Sequence, residues 1–349
     1  MQRSLRFLAL LALPMLLAGC GSDEPVVVSR EALGTVVAIT AYGEDEAAVQ
    51  AAVEGAYVAM AAVESQLNAY DPASAVAQFN ATPYTPAVLP AEAAVILDEL
   101  VVLRVPADFS PTLLGVSRLY HFEDGGTVPV PGDLSLALNA SKTFVRSGDG
   151  TGEFMRGDNP DARLDAGGEL APGLDFGGAA KGLALDRARD VLRASGAVTA
   201  ALISSGSSTI MLGTKPDGSV WRIGIEDPRD PEEVVATFAF EGDGALSTSG
   251  DYQRYFEANG RRYHHILHPA TGLPAAGLRS LTVAGSTLSG LHSDILSTAL
   301  FVRGTDEAEA YAEDFGIALF GVDASGRALV VPAPENSGLT VAEKATPIP

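Results

Sequence analysis

The sequence predicts an α+β fold in which mixed or antiparallel sheets pack against helices. Three observations predict it. Apolar residues recur at steps of three and four in several stretches, and β-branched, partly alternating segments lie between them. The two kinds follow no strict strand-helix-strand rotation, which argues against a doubly wound parallel sheet. With 349 residues, 47% of them apolar and 19% charged, the chain can bury a sizeable core and is neither disordered nor fibrous in composition.

Residues 1–19 stand apart. Arg3 and Arg6 precede an apolar run from Phe7 to Ala18, and the run closes on Leu17-Ala18-Gly19-Cys20. That pattern resembles a bacterial lipoprotein signal peptide, in which Cys20 is lipidated and becomes the mature N-terminus, a membrane anchor. An ordinary secretory signal with a chance cysteine is the alternative. Cys20 is the only cysteine, so once lipidated it leaves no thiol for a disulfide, a metal or catalysis. The expected organisation is a signal at 1–19, the lipidated cysteine and a tether at 20–30, one domain at 31–335 and a tail at 336–349.

Within the domain, Val26 to Tyr42 reads as one or two strands. Ala48 to Leu67 sets Val49, Val53, Tyr57, Met60, Val63 and Leu67 on one helical face, with Glu44, Glu46 and Glu54 towards its start, where they favour the helix dipole. Ala91 to Leu103 predicts a second helix, and Gly125–Gly132 and Gly148–Gly157 read as loops. Gly182 to Ser195 is helical and closes at Gly196, and Val198–Ile203 is a strand. Trp221–Ile225, Val234–Phe240 and Tyr252–Phe256 are further strands, the last joined through Asn259-Gly260 to Arg262–Leu267 as a hairpin. Leu281–Ala284 precedes a helix over Ser289–Val302 that ends at Gly304. An acidic helix over Asp306–Phe315 and strands near Ala318 and Leu329 follow.

The formal charge of −21 argues against nucleic acid as a partner. A phosphate-bearing ligand must be held by local donors or by a cation. Gly177 to Gly182, reading Gly-Gly-Ala-Ala-Lys-Gly after Leu174-Asp175-Phe176, suits such a ligand, because a glycine pair and a lysine sit at a helix start. Asp294 and Thr298 lie one helical turn apart, where their oxygens suit a hard cation such as magnesium, completed by a backbone carbonyl and phosphate oxygens. The plainer alternative is a surface aspartate and a threonine bonding back to its own helix.

Three of the five histidines fall in Tyr263-His264-His265-Ile266-Leu267-His268. Alternation along a strand puts His264 and His268 on one face and His265 on the other. A zinc pair drawn from His264 and His268 lacks a third ligand, and structural histidines are the plainer reading. His265 suits a general base beside an acceptor hydroxyl. His292-Ser293-Asp294 spells a triad in print, but consecutive helical residues project in different directions and no Gly-x-Ser-x-Gly elbow occurs.

Many short motifs in one order carry a resemblance: Leu33-Gly34-Thr35, Tyr70-Asp71-Pro72, Phe109-Ser110-Pro111-Thr112, Asp175 to Gly182, Gly213 to Gly218, Ser247 to Tyr252, His264-His265-Ile266 and Asp294 to Thr298. From about Glu31 to Val331 the chain resembles the ApbE family of FAD:protein FMN transferases. The resemblance implies a T-fold-related architecture that binds FAD with Mg2+ and moves its FMN half onto a threonine or serine of another protein, releasing AMP. Asp294 and Thr298 are then metal ligands, joined by a carbonyl of the glycine turn, that of Gly178. Lys181 and His265 serve the chemistry, and Tyr70, Thr112, Asp175, Lys181, Ser249, Gly250 and His265 border the flavin nucleotide, Tyr70 as a stacking platform. The implied acceptor is a membrane redox subunit reached from the periplasm, so the expected location is the bacterial cell envelope, lipid-anchored and periplasm-facing. Gly21 gives no aspartate signal for the inner membrane, which leaves inner and outer membrane open.

The chain departs from the family pattern at His268 and Ser110, where aspartates are usual, at Leu114-Gly115 in place of Gly-Pro, and at Ser204 to Ser208, which lacks paired glycines. A magnesium-dependent FAD pyrophosphatase giving FMN and AMP is one rival reading. A non-catalytic flavin-binding lipoprotein is the other.

Overall fold

The computed structural model describes residues 24–81, 87–142, 144–146, 153–156, 172–335 and 337–343. Cys20 and the signal segment lie outside the described residues. The described chain opens on an antiparallel hairpin of β1 (Val26–Ala32) and β2 (Thr35–Tyr42). Its turn places Leu33 (φ 55) and Gly34 (φ 70) in the left-handed region, the hand that matches strand twist. In α1 (Glu46–Leu67) the Asp45 carboxylate accepts from the Ala48 amide at 3.1 Å, and Val49, Val53, Met60 and Val63 are buried along one stripe.

Next come α2 (Ala75–Ala81), β3 (Ala87–Val88), α3 (Ala91–Val102), α4 (Leu114–Arg118), α5 (Pro131–Ser141), β4 (Phe144–Arg146) and β5 (Glu153–Arg156). Strands β3, β5 and β4 form a small antiparallel sheet. The segment expected to be loop at 125–132 ends in the first turn of α5, where Pro131 needs no amide hydrogen. The other expected loop, 148–157, contains β5.

The chain continues through α6 (Ala180–Ala194), β6 (Ala200–Ser204), β7 (Ser208–Leu212), β8 (Trp221–Glu226), β9 (Val234–Phe240), β10 (Gly244–Gly250), β11 (Tyr255–Ala258) and β12 (Arg261–His264). It ends with β13 (Leu278–Gly285), α7 (Gly290–Arg303), α8 (Thr305–Phe315), β14 (Ala318–Asp323), β15 (Ala328–Val331) and β16 (Leu339–Glu343). The Asn259-Gly260 hairpin forms as expected, both residues at positive φ. Tyr252, Gln253 and Arg254, expected in a strand, instead make the turn before β11. The expected tether at 20–30 gives way to β1 at Val26, and the expected tail contains β16, paired with β9.

Eight strands in the order β1-β2-β6-β7-β10-β13-β14-β15 form the main sheet, with every neighbouring pair antiparallel. Both faces are covered. Ile39, Ile203, Ile210, Val283 and Leu319 join one core with the helices, while Ala200, Met211, Ala284 and Phe320 join a second core with Trp221, Phe238 and Phe240 of β8 and β9. The sheet of β16, β9 and β8 therefore backs the main one, and α6 and α7 lie on the opposite face over its central strands. Where α7 meets β10 the contact is made by small hydroxyl side chains: Ser247 with Ser293 and Ser249 with Ser297, each pair at 3.0 Å. Short side chains let the helix sit close to the strand, and each hydroxyl is satisfied.

Candidate active site

An open cleft of about 840 Å³ lies where the turn before α6, the end of β10 and the segment after β12 meet α7. Of the residues singled out from the sequence, Tyr70, Asp175, Gly178, Lys181, Ser249, His265, Asp294 and Thr298 line it. Thr112 and Gly250 do not. The Thr112 hydroxyl pairs with that of Ser110 at 2.8 Å, and Ser110 is the one that reaches the cleft. Gly250 is buried in β10, where a Cβ would come within 2.2 Å of the Tyr252 ring. Its lack of a side chain lets Tyr252, which does line the cleft, fold back against the strand.

The site is framed by an unusually close approach of α6 and α7. A Cβ on Gly182 would sit 2.1 Å from the Gly290 carbonyl oxygen, and one on Gly290 would sit 2.5 Å from that of Gly182. With the two helix starts this near, each helix supplies a carboxylate to the other's unpaired first-turn amides. Asp294 of α7 accepts from the Gly182 amide at 2.9 Å, and Asp186 of α6 accepts from Gly290 and Leu291 at 2.9 and 2.8 Å. Burial pushes the Asp186 carboxyl up, while the Leu291 and Gly290 amides and the Arg189 charge pull it down. The second Asp294 oxygen accepts from the Ser208 hydroxyl at 3.2 Å. Ser208, the first residue of β7, thereby holds that oxygen from a fully buried position.

Asp294 is only 5% exposed, and one turn further along α7 the Thr298 hydroxyl meets Ser249 at 3.1 Å. Gly178 lies against it: a Cβ there would stand 3.3 Å from Thr298 Oγ1. The Asp294 carboxylate and the Thr298 hydroxyl are oxygen donors with the Gly178 backbone close by, a setting that fits a hard cation that keeps few protein ligands. Among the described residues no cluster of three or more His, Cys, Asp or Glu side chains could hold a metal. The zinc pair also dissolves on other grounds. β12 stops at His264, whose Nε2 is spent on the Ala275 carbonyl at 2.9 Å, while His268 Nδ1 accepts from the Ala270 amide within a turn. Burial lowers the His264 pKa and marks it as a core residue.

Tyr70 presents its ring to the cleft, and its hydroxyl donates to Asp175 at 2.7 Å. The other Asp175 oxygen accepts from the Gly177 amide at 2.8 Å, so one carboxylate ties the ring to the glycine turn. Half-buried His265 faces the cleft, and its amide donates to the Arg254 carbonyl at 3.1 Å. The same carbonyl lies 3.3 Å from His265 Nδ1. With Nδ1 as the donor, Nε2 is left as a bare acceptor. Burial first, then the charges of Arg254, His264 and Lys181, lower the His265 pKa to about 3, against the pull of the Arg254 carbonyl. His265 is therefore neutral at physiological pH.

The triad spelled by His292-Ser293-Asp294 does not assemble. His292 turns to Glu99 at 2.9 Å, Ser293 bonds Ser247 and the Gly290 carbonyl, and Asp294 faces α6. Sequence reasoning missed Ser208, Asp186, Gly290 and Arg254. Gly290 at a predicted helix start was the one available signal, since a glycine there permits a close crossing.

Fold and cleft together define a class: an antiparallel α+β protein with a glycine-lysine helix start beside a buried carboxylate and a hydroxyl on one helix. The chain belongs to the ApbE family, whose sequence profile matches residues 33–320. It is 26% identical over 336 residues to an FAD:protein FMN transferase of Klebsiella pneumoniae (strain 342), covering 91% of this chain and 92% of that one. It is 30% identical over 310 residues to the enzyme of the same description in Treponema pallidum (strain Nichols), covering 84% and 81%. Among solved structures, the ApbE protein of Thermotoga maritima superposes with a TM-score of 0.74 at 27% identity, over 87% of this chain and 96% of that one. The apo form of the Pseudomonas stutzeri flavinyl transferase ApbE gives 0.69 at 29% identity, over 94% and 97%.

Proposed function

We propose that this chain is an FAD:protein FMN transferase, which moves the FMN half of FAD onto a threonine or serine hydroxyl of another protein and releases AMP. The observation that carries this reading is the convergence of Asp294, Thr298, Gly178, Lys181 and His265 on one cleft in an ApbE-family chain. The acceptor oxygen attacks the FMN phosphorus, a new P–O bond forms, and the bond from that phosphorus to the bridging oxygen of the diphosphate breaks. The hydroxyl proton passes to His265 Nε2, and the bridging oxygen leaves with AMP. Asp294, Thr298 and the Gly178 carbonyl would hold Mg2+, which when bound neutralises charge on the phosphate oxygens. Lys181 adds a fixed positive charge at the start of α6, and Tyr70 offers its ring to the isoalloxazine.

The acceptor belongs to a membrane redox complex, and the enzyme reaches it from the periplasmic side, held to the membrane through lipidated Cys20. Incubation with FAD, Mg2+ and a flavoprotein subunit tests the reading: covalent flavin on protein supports transfer, and free FMN supports hydrolysis by water at the same site.

His265→Ala lowers transfer by about 10²- to 10⁴-fold with FAD binding retained. Transfer at the wild-type rate would remove His265 from the mechanism. Because the free enzyme holds this pKa near 3 rather than 6.5, the acid side of the kcat/KM profile stays level through pH 6.5. Stability follows the same linkage. The unfolded chain takes up this proton near 6.5 and the folded chain only near 3, so the contribution is complete above 6.5 and lost as pH falls towards 3. Chemical denaturation from pH 7 to 4, wild type against His265→Ala, reads that difference.

A further inference from the structure

Charge is distributed unevenly around the cleft. Six carboxylates line it, those of Glu64, Asp108, Glu123, Asp175, Glu226 and Asp294, against two fixed cations among the described residues, Lys181 and Arg254. In a chain of net charge −21, an anionic ligand enters such a cleft only where cations are concentrated. Lys181 belongs to the glycine turn already described. Arg254 also lines the cleft, in the turn between β10 and β11, and its one ion pair is an open one.

Its nearest carboxylate is Glu123, at 3.6 Å, and the two side chains are 45% and 75% exposed. A contact that open contributes little to stability. Three residues before Arg254 the pattern is different: Arg229 grips Asp251 through two bonds of 2.7 Å, and Arg262 reaches the same carboxylate at 3.5 Å. Those arginines are committed to holding the hairpin, whereas Arg254 is available. It also approaches the Tyr70 hydroxyl, which is bonded to Asp175, and its own carbonyl receives the His265 amide. Arg254, Lys181 and His265 line the same cleft, and the charges of both cations bear on the His265 ring.

We infer that Arg254 is a diphosphate-binding residue, gripping the phosphate oxygens of the dinucleotide in the cleft it shares with Lys181. A guanidinium presents paired N–H donors in a plane that matches two phosphate oxygens, a geometry a lysine cannot reproduce. Because its carbonyl holds His265, the residue that grips the phosphate also sets the position of the base. This inference rests on the FAD reading of the site.

The test uses two flavins that share a ring system and differ in phosphate. The full-length protein and its Arg254→Gln variant are titrated with FAD and with riboflavin, followed by flavin fluorescence, with melting curves taken in parallel. The expected result is an FAD Kd raised tenfold or more in Arg254→Gln, a riboflavin Kd within about twofold of wild type, and an unchanged melting temperature. Arg254→Lys is expected to recover part of the FAD affinity. Unchanged FAD affinity, or equal losses for FAD and riboflavin, would overturn the inference while leaving the transferase reading intact. Failure of the wild-type protein to bind FAD at all would overturn both.

Discussion

Asp294→Ala is expected to abolish detectable FMN transfer, a loss of at least about 10³-fold, and to remove the Mg2+ dependence of whatever activity remains. The same substitution destabilises the fold. Asp294 is 5% exposed and accepts from both the Gly182 amide and the Ser208 hydroxyl, so truncation orphans two donors in a closed environment. Each orphan costs about 1–3 kcal/mol. Asp294→Asn separates the two effects, because its amide oxygen still accepts from Gly182 and its amide nitrogen can donate to Ser208 Oγ, yet it carries no charge for a cation. Near wild-type melting with transfer still lost is the expected outcome for Asn. Isothermal titration with Mg2+ gives a reading independent of turnover. Asp294→Asn that transfers FMN at the wild-type rate would show that the carboxylate charge is not used.

Gly182→Ala is expected to be among the most damaging single-methyl additions in the chain. The new Cβ would meet the Gly290 carbonyl oxygen at 2.1 Å and the Asp294 Cβ at 2.7 Å. The first is backbone and cannot swing aside, so α6 and α7 must separate, at a cost of about 3 kcal/mol or more. Separation also draws Asp294 off the α6 start, so transfer falls with stability. Gly177→Ala is the matched control. Its Cβ would meet only the Asp175 side chain, 3.1 Å from Oδ1, and a small loss is expected. Urea denaturation of both variants distinguishes two readings of the glycine-lysine stretch. Strong damage at 182 and little at 177 assigns the last glycine to a helix crossing, whereas equal damage would return the whole stretch to a single role.

The chemistry-bearing residues were more legible than the elements that hold them. The helical spacing of Asp294 and Thr298 and the place of Lys181 after a glycine pair are local signals, weak alone and given weight by the order of motifs around them. Strands β7 and β10 gave none. Every residue of β7 and nearly all of β10 are buried, since helices cover one face of the main sheet and the second sheet covers the other. Alternation between apolar and polar residues disappears when neither face meets water. β10 is disguised further by its serines, whose partners, Ser293 and Ser297, lie more than forty residues downstream. Within Ser247 to Tyr252 the residues that meet the cleft are set by packing, which the local sequence does not encode: Ser249 lines it and Gly250 does not. Reciprocal capping by Asp186 and Asp294 was likewise invisible, because each carboxylate serves a helix more than a hundred residues away.

The measurement that bears most directly on the central claim is the mass of an acceptor fragment co-expressed with this protein and with its Asp294→Asn variant. One FMN on one threonine or serine, present with the wild-type chain and absent with the variant, is the predicted result. An unmodified acceptor accompanied by free FMN and AMP would contradict transfer and make the same cleft a hydrolase, and an unmodified acceptor beside intact FAD would contradict catalysis of either kind.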